Sequence, residues 1–209
     1  LVEVENTANR GGGSCWDFNE LQKIRNVCDT NQLGFHLDGA RLWNALVARN
    51  ETAQEYGQVF DTISVCLSKG LGCPIGSVLI GDDVFMQNAI RIRKILGGGM
   101  RQVGYLAAAG LYALDNHLER LVDDHQKAKE IGAVLQSLPF IKKVVPVETN
   151  IVIFELAERE KEAKFLNHFA EKGIRLSGMG SGKLRMVTHL DYSDSMHDYF
   201  ITVLRSARL

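Results

Sequence analysis

The chain has 209 residues, of which 45% are hydrophobic, so it can bury the core of one large domain or two small ones. Lysine and arginine number 24 against 25 acidic residues, which excludes the strongly basic balance typical of nucleic-acid or anionic-membrane binding. We therefore expect a small-molecule ligand, with no nucleic acid and no membrane as partner.

Cysteine usage and the N-terminal pattern bear on the cellular compartment. The four cysteines form no Cys-x-x-Cys pair, and the N-terminus lacks the succession of charged, apolar and small residues of a secretory signal. We predict reduced thiols in a cytoplasmic protein. The longest apolar runs contain glycine and are shorter than the roughly 20 residues that cross a bilayer, so no transmembrane span is predicted.

The chain begins with Leu1 rather than methionine, and residues 1–5 already have the pattern of a strand without a preceding turn or cap. This beginning favours an N-terminally cut chain. The alternative is a trimmed chain that is complete in function.

Predicted strands and helices alternate in the first part of the sequence. Asp17 has the position of an N-cap with Glu20 three residues later, and apolar residues recur at helical spacing after it. The segment 34–38 is a short apolar run that ends on a carboxylate, and 62–67 is β-branched and ends before Ser-Lys-Gly. The predicted strands are 1–5, 34–38, 62–67 and 76–81, and the predicted helices are 17–30 and 40–48.

Two long helical stretches follow, at 82–96 and 101–136. Three consecutive glycines, 97–99, separate them because such a triplet breaks a helix. The last part of the sequence again alternates between the two patterns. It is predicted to contain strands at 150–156, 174–177 and 183–188 and helices at 160–172 and 194–206.

A change of composition bracketed by Pro139 and Pro146 places a domain boundary near 120–138. We divide the chain into residues 1–125 and residues 126–209. The succession of elements predicts an α/β fold, with a mostly parallel sheet in the first part and a small α/β domain in the second.

Asp38 and Lys69 carry the chemical interpretation, since each ends a predicted strand of one α/β layer. Open α/β sheets gather ligands beyond the carboxyl ends of their strands, so both side chains can meet in one cleft. A lysine amine condenses with an aldehyde, and an aspartate keeps a pyridine nitrogen protonated, which is the pairing that pyridoxal 5'-phosphate (PLP) requires. Spacing alone leaves the ordinary alternatives open: a strand-end aspartate often caps a helix, and an isolated lysine is often solvated.

The sequence that flanks Asp38 and Lys69 is more specific than the spacing of the two residues. Residues 36–45, His-Leu-Asp-Gly-Ala-Arg-Leu-Trp-Asn-Ala, resemble the cofactor-aspartate motif of threonine aldolases, which are fold type I PLP enzymes. Residues 64–72, Ser-Val-Cys-Leu-Ser-Lys-Gly-Leu-Gly, resemble the cofactor-lysine motif of the same family. The resemblance continues through 97–102 and 183–189, so it covers nearly the whole chain in family order.

The resemblance implies roles for particular residues in the cofactor site. Lys69 would bind the PLP aldehyde and be the catalytic residue, Asp38 would pair with the pyridine nitrogen, and Ala40 would pack against the ring. Arg41 would line the site near the ring and the substrate carboxylate. Arg101 would reach the cofactor phosphate across a subunit interface; a basic residue that opens a helix is the alternative.

Arg185 resembles the arginine that the family uses for the α-carboxylate of the substrate, a role that suits its planar fork of donors. A surface arginine at a strand edge is the alternative. His36, beside a strand core, is more often a satisfied buried imidazole than a catalyst. The other histidines show no metal-ligand spacing, so no metal is predicted.

The sequence departs from the family pattern in two respects. Ala8 stands where many members carry histidine. Family members also begin well over a hundred residues earlier, with a phosphate-binding loop and a ring-stacking histidine. We therefore interpret 1–125 as a partial PLP-binding large domain and 126–209 as a small C-terminal domain, and we expect this chain alone to have little or no activity.

The resemblance implies a fold type I, aminotransferase-like enzyme that cleaves β-hydroxy amino acids such as L-threonine and L-allo-threonine to glycine and an aldehyde. It also implies a homo-oligomer, a dimer of dimers, when complete. No residue present is a convincing base for the hydroxyl proton. The alternatives are a PLP-dependent β-eliminating lyase, an aminotransferase or a non-catalytic fragment.

Overall fold

The structure is a computed structural model that describes residues 1–208. Its internal contacts divide the chain into two compact units. The first unit comprises residues 1–7 and 15–120, and the second comprises residues 8–14 and the chain from Leu121 onward. Within the described residues, no helix combines the length and the apolar character that crossing a membrane requires.

The first unit is built on a four-stranded sheet in the order β1-β2-β3-β4. Neighbouring strands are parallel from β1 to β3, and β4 runs antiparallel to β3. The strands are β1 (Val2–Glu5), β2 (Phe35–Gly39), β3 (Thr62–Cys66) and β4 (Ser77–Ile80), and the helices are α1 (Phe18–Thr30), α2 (Leu42–Arg49), α3 (Ala53–Val59), α4 (Asp83–Ile95) and α5 (Gly104–Asn116).

Local sequence explains how several of these helices begin. The Asp17 side chain accepts a hydrogen bond from the Asn19 amide and caps α1, as the sequence predicted. At the start of α3, Thr52 and Glu55 form a reciprocal capping box. The core of the unit lies between α1, α2, α3 and strands β1 to β3, and its fully buried side chains include Leu21, Phe35, Leu37 and Tyr56.

The second unit is built on an antiparallel sheet in the order β5-β6-β8-β7. The strands are β5 (Ile141–Val144), β6 (Ile151–Leu156), β7 (Ser177–Gly180) and β8 (Lys183–Val187), and the helices are α6 (Leu121–Gln136), α7 (Glu162–Ala170) and α8 (Asp194–Ser206). Phe154, Phe165 and Phe169 are at most 1% exposed, and successive ring centroids lie 5.7 Å and 4.7 Å apart. Aromatic contacts therefore join β6 of the sheet to α7.

Four elements differ from the sequence prediction. The single helix predicted at 101–136 is wrong, because α5 ends at Asn116 and α6 begins at Leu121 without a glycine or proline between them. The short elements α3 and β5 were not predicted, since neither is long enough to show a periodic pattern. The strand predicted at 174–177 begins only at Ser177, because the turn at Gly180 to Gly182 pairs it with β8 as a hairpin.

Candidate active site

The carboxyl ends of β2 and β3 bring Asp38 and Lys69 to the same edge of one sheet. Asp38 is the penultimate residue of β2 and pairs in register with Ser64 of the parallel neighbour β3. Lys69 follows three residues after the last residue of β3, in the loop 67–76 that leads to β4. This edge is where open α/β sheets bind their ligands.

The Asp38 carboxylate is oriented by its own chain. One oxygen, Oδ1, accepts a hydrogen bond of 3.0 Å from the amide of Ala40, which fixes the side chain at the turn into α2. The second oxygen has no hydrogen-bond or ion-pair partner within residues 1–208. Gly39 allows this geometry, because a Cβ at that position would lie 2.7 Å from the carbonyl oxygen of Ser64. The turn thus leaves one carboxylate oxygen available to a ligand.

A buried polar chain supports the adjacent end of β1. The amide of Asn6 donates to the carbonyl of Asp38 at 3.0 Å, and its side-chain Nδ2 donates to the Tyr56 hydroxyl at 2.9 Å. That hydroxyl donates to Glu51 at 2.8 Å. Burial is the main cause that raises the pKa of Tyr56, so the phenol stays neutral and keeps its donor. Sequence reasoning missed this chain because Asn6 and Tyr56 are 50 residues apart in the sequence.

The Lys69 side chain is exposed and has no hydrogen bond or ion pair within the described part of the chain. An amine without a partner is available to react with an aldehyde or to accept a proton. Its backbone is ordered by a turn, since the Gly72 amide donates to the Lys69 carbonyl at 2.9 Å.

The remaining predicted residues of the first unit have different surroundings. Arg41 is the N-cap residue of α2 and is partly buried. Arg101 is exposed, in the segment between α4 and α5. His36 Nδ1 lies 2.7 Å from the Thr62 hydroxyl, which fits the prediction of a satisfied imidazole.

Arg185 lies in the second unit, on β8, where it lines a cavity of about 500 Å³. Its Nε atom is buried and has no hydrogen-bond partner among residues 1–208. A buried guanidinium N–H without a partner costs free energy, and a carboxylate would satisfy it. Thr188, Tyr192 and Tyr199 line the same cavity. Among the described residues, no group of three or more His, Cys, Asp or Glu side chains is arranged to hold a metal ion.

The residues at the strand edge fit PLP on chemical grounds. An unpaired carboxylate oxygen suits the protonated pyridine nitrogen, and a free amine suits the aldehyde. Ala40, whose amide contacts Asp38, has a small side chain that leaves room for a planar ring. The unpaired Nε of Arg185, in the second unit, suits a carboxylate.

The structure shares its fold with Leishmania major threonine aldolase, on which it superimposes with a TM-score of 0.77 and 21% identity. That comparison covers 97% of this chain and 59% of the other. The chain belongs to the Beta-eliminating lyase family, whose model matches residues 1–159. This family is PLP-dependent, in agreement with the predicted cofactor.

Two curated relatives with similar sequences are low-specificity L-threonine aldolases. Low-specificity L-threonine aldolase 1 of Arabidopsis thaliana is 36% identical over 212 residues, covering 100% of this chain and 59% of the relative. Low specificity L-threonine aldolase of Escherichia coli K12 is 38% identical over 193 residues, covering 92% of this chain and 56% of the relative. The chain therefore spans a little over half the length of these relatives.

Proposed function

We propose that the protein containing this chain is a PLP-dependent aldolase that cleaves L-threonine and L-allo-threonine to glycine and acetaldehyde. The observation that carries the proposal is the placement of Asp38 and Lys69 at one edge of the sheet. The substrate class is supported by the names of the curated relatives, which are low-specificity L-threonine aldolases.

Asp38, Lys69, Ala40 and Arg41 would hold the cofactor in the first unit. PLP supplies an electron sink that stabilises the charge left on Cα when a bond to that carbon breaks. The unpaired oxygen of Asp38 would hold the proton on the pyridine nitrogen, which keeps the ring cationic. The Lys69 amine would hold the cofactor through its aldehyde carbon.

Arg185 would orient the substrate through its α-carboxylate. The unpaired Nε and the cavity beside it support this role, because a bidentate guanidinium fixes the plane of a carboxylate and thereby the direction of the Cα–Cβ bond.

We also propose a division into domains, a homo-oligomeric assembly and a cytoplasmic location. We interpret residues 1–125 as part of the PLP-binding large domain and 126–209 as the small C-terminal domain. A homo-oligomer, a dimer of dimers, would bring Arg101 to the cofactor phosphate of a neighbouring subunit; its exposed position supports this role. Four cysteines without disulfides support a cytoplasmic location.

The products formed from L-threonine test the proposal. With PLP present, we expect glycine and acetaldehyde in equal amounts, from L-allo-threonine as well, and neither from the Lys69→Ala variant. β-Elimination is the second candidate reaction because the matched family is named Beta-eliminating lyase. It would instead give 2-oxobutanoate and ammonia. Transamination would require an added oxo acid. Formation of 2-oxobutanoate without glycine would overturn the aldolase assignment while leaving the cofactor assignment in place.

A further inference from the structure

The turn that carries Lys69 is held within the loop by a small number of backbone hydrogen bonds. The Gly72 amide donates to the Lys69 carbonyl at 2.9 Å, and the Cys73 amide donates to the Leu67 carbonyl at 3.1 Å. Gly72 has φ +73°, a conformation that glycine adopts without steric cost. Because the side-chain nitrogen of Lys69 has no partner within residues 1–208, the backbone of this turn determines where the side chain begins.

One imidazole from outside the loop reaches the turn. His117 Nδ1 lies 2.7 Å from the carbonyl oxygen of Leu71, which is 46 residues away in sequence. A carbonyl oxygen only accepts hydrogen bonds, so Nδ1 carries the proton and His117 is the donor. Leu71 is fully buried and lies in the chain between Lys69 and Gly72. A bond to its carbonyl therefore restrains the turn.

His117 is itself well placed to act as an anchor. It is the C-cap residue of α5, and its amide donates to the Ala113 carbonyl at 2.8 Å. The Tyr112 ring meets the imidazole edge-on, with centroids 5.5 Å apart. The same helix approaches the loop closely at Gly110, where a Cβ would lie 3.2 Å from the Leu67 side chain. The bond therefore connects the end of a helix to the turn.

We propose that His117 is a positioning residue, which holds the turn at 69–73 so that the Lys69 amine is presented to the PLP aldehyde. It acts through the Leu71 carbonyl. The inference rests on the proposed function, because it assigns to His117 a role in the reactivity of the lysine that the proposed function makes catalytic.

Asparagine and leucine provide a matched pair of substitutions, since they have nearly the same shape and differ in hydrogen bonding. In His117→Asn, the side-chain Nδ2 takes approximately the place of the imidazole Nδ1 and can donate to Leu71. His117→Leu cannot donate. His117→Gln places its amide farther from the backbone and gives a second variant that is expected to lack the bond.

Hydrogen exchange of the full protein without PLP tests the anchor independently of the cofactor. Loss of one hydrogen bond predicts exchange of the Gly72 and Cys73 amides about 2- to 10-fold faster in His117→Leu and His117→Gln. His117→Asn is expected to exchange like the unchanged protein. Amides in β2 and α1 serve as the internal reference for an intact fold.

The rate at which added PLP produces its bound absorbance tests the consequence for Lys69. We expect slower capture in His117→Leu and His117→Gln, and a rate restored towards that of the unchanged protein in His117→Asn. Equal exchange and equal capture in all variants would overturn the inference, as would a failure of asparagine to restore capture. Absence of PLP binding by the unchanged protein would refute the proposed function as well, and a persisting exchange difference would then show that the anchor is only structural.

Discussion

The two units differ in how completely their own elements cover their apolar residues. In the second unit, five of the six residues of β6 are buried, and α6 has eight buried residues. In the first unit, all four residues of β4 are exposed, and α4 has no buried residue although it contains Val84, Phe85 and Ile92. An apolar pattern in a sequence predicts a surface that is suited to burial, and the structure shows whether the chain itself provides the cover.

The units also differ in the chemistry that they offer. The first presents the strand-edge pair Asp38 and Lys69 beside a modest core. The second has an aromatic core and a cavity with one unpaired arginine nitrogen. We therefore expect substitutions at the strand edge to reduce turnover, and substitutions in the second unit to change stability or substrate affinity.

The largest effect is expected at the strand edge. Lys69→Ala removes the amine that binds the cofactor aldehyde, so turnover of threonine should fall on the order of 10⁴-fold, about 5.5 kcal/mol in the barrier. Lys94→Ala, at an exposed lysine of α4, is the matched control and should leave turnover unchanged. Steady-state kinetics measures both, and comparable losses in the two variants would contradict the assignment of Lys69.

The difference in burial between the two units predicts a difference in the free energy of unfolding between a core and a surface substitution. Phe165→Ala in the second unit should lower the free energy of unfolding by about 3–5 kcal/mol, because a fully buried aromatic ring is lost. Ile92→Ala on α4, where the side chain is 53% exposed, should change it by less than about 0.5 kcal/mol. Urea denaturation measures both. An equally large loss for Ile92→Ala would show that this helix face is covered in the full protein.

Arg185 tests whether the second unit contributes to substrate binding. Losing two charge-assisted hydrogen bonds to a carboxylate predicts that Arg185→Ala raises KM for threonine about 10²-fold, and that Arg185→Lys restores only part. Arg175→Ala is the control, since Arg175 lines the same cavity but is exposed. An unchanged KM in Arg185→Ala, measured at saturating PLP, would refute the carboxylate role.

A smaller effect is expected from pH on the second unit. Burial, with a contribution from Lys129, lowers the pKa of His125 to about 4 in the folded protein. In the unfolded chain the pKa of His125 is near 6.5, so the unfolded chain binds the proton first as pH falls. The free energy of unfolding is therefore highest above about pH 6.5 and decreases as pH falls towards 4.

Between about pH 7.5 and pH 5 the loss should be about 2 kcal/mol. His125→Gln should make the free energy of unfolding less dependent on pH in this range. Denaturation at a series of pH values checks this, and an identical pH dependence in the variant would contradict the role of His125.

The sequence predicted the elements that have strong local signals. Asp17 and its helix, the strands that end near Asp38 and Lys69, and α8 were expected at nearly their observed positions. The short helix α3 was not, because seven residues show no periodic pattern. The break between α5 and α6 and the contact of His117 with Leu71 were not either, because they depend on packing between residues distant in sequence. The motif resemblance assigned chemical roles, whereas the unpaired oxygen of Asp38 and the unpaired Nε of Arg185 required coordinates.

We propose that Asp38 and Lys69 form a PLP site at the edge of the sheet in the first unit. Reduction of the PLP-loaded protein with borohydride, followed by peptide mapping, tests it most directly, because the reduced bond marks the lysine that held the cofactor. We expect the label on Lys69, and we expect Asp38→Asn to weaken cofactor binding without moving the label. Label found mainly on any other lysine would contradict it.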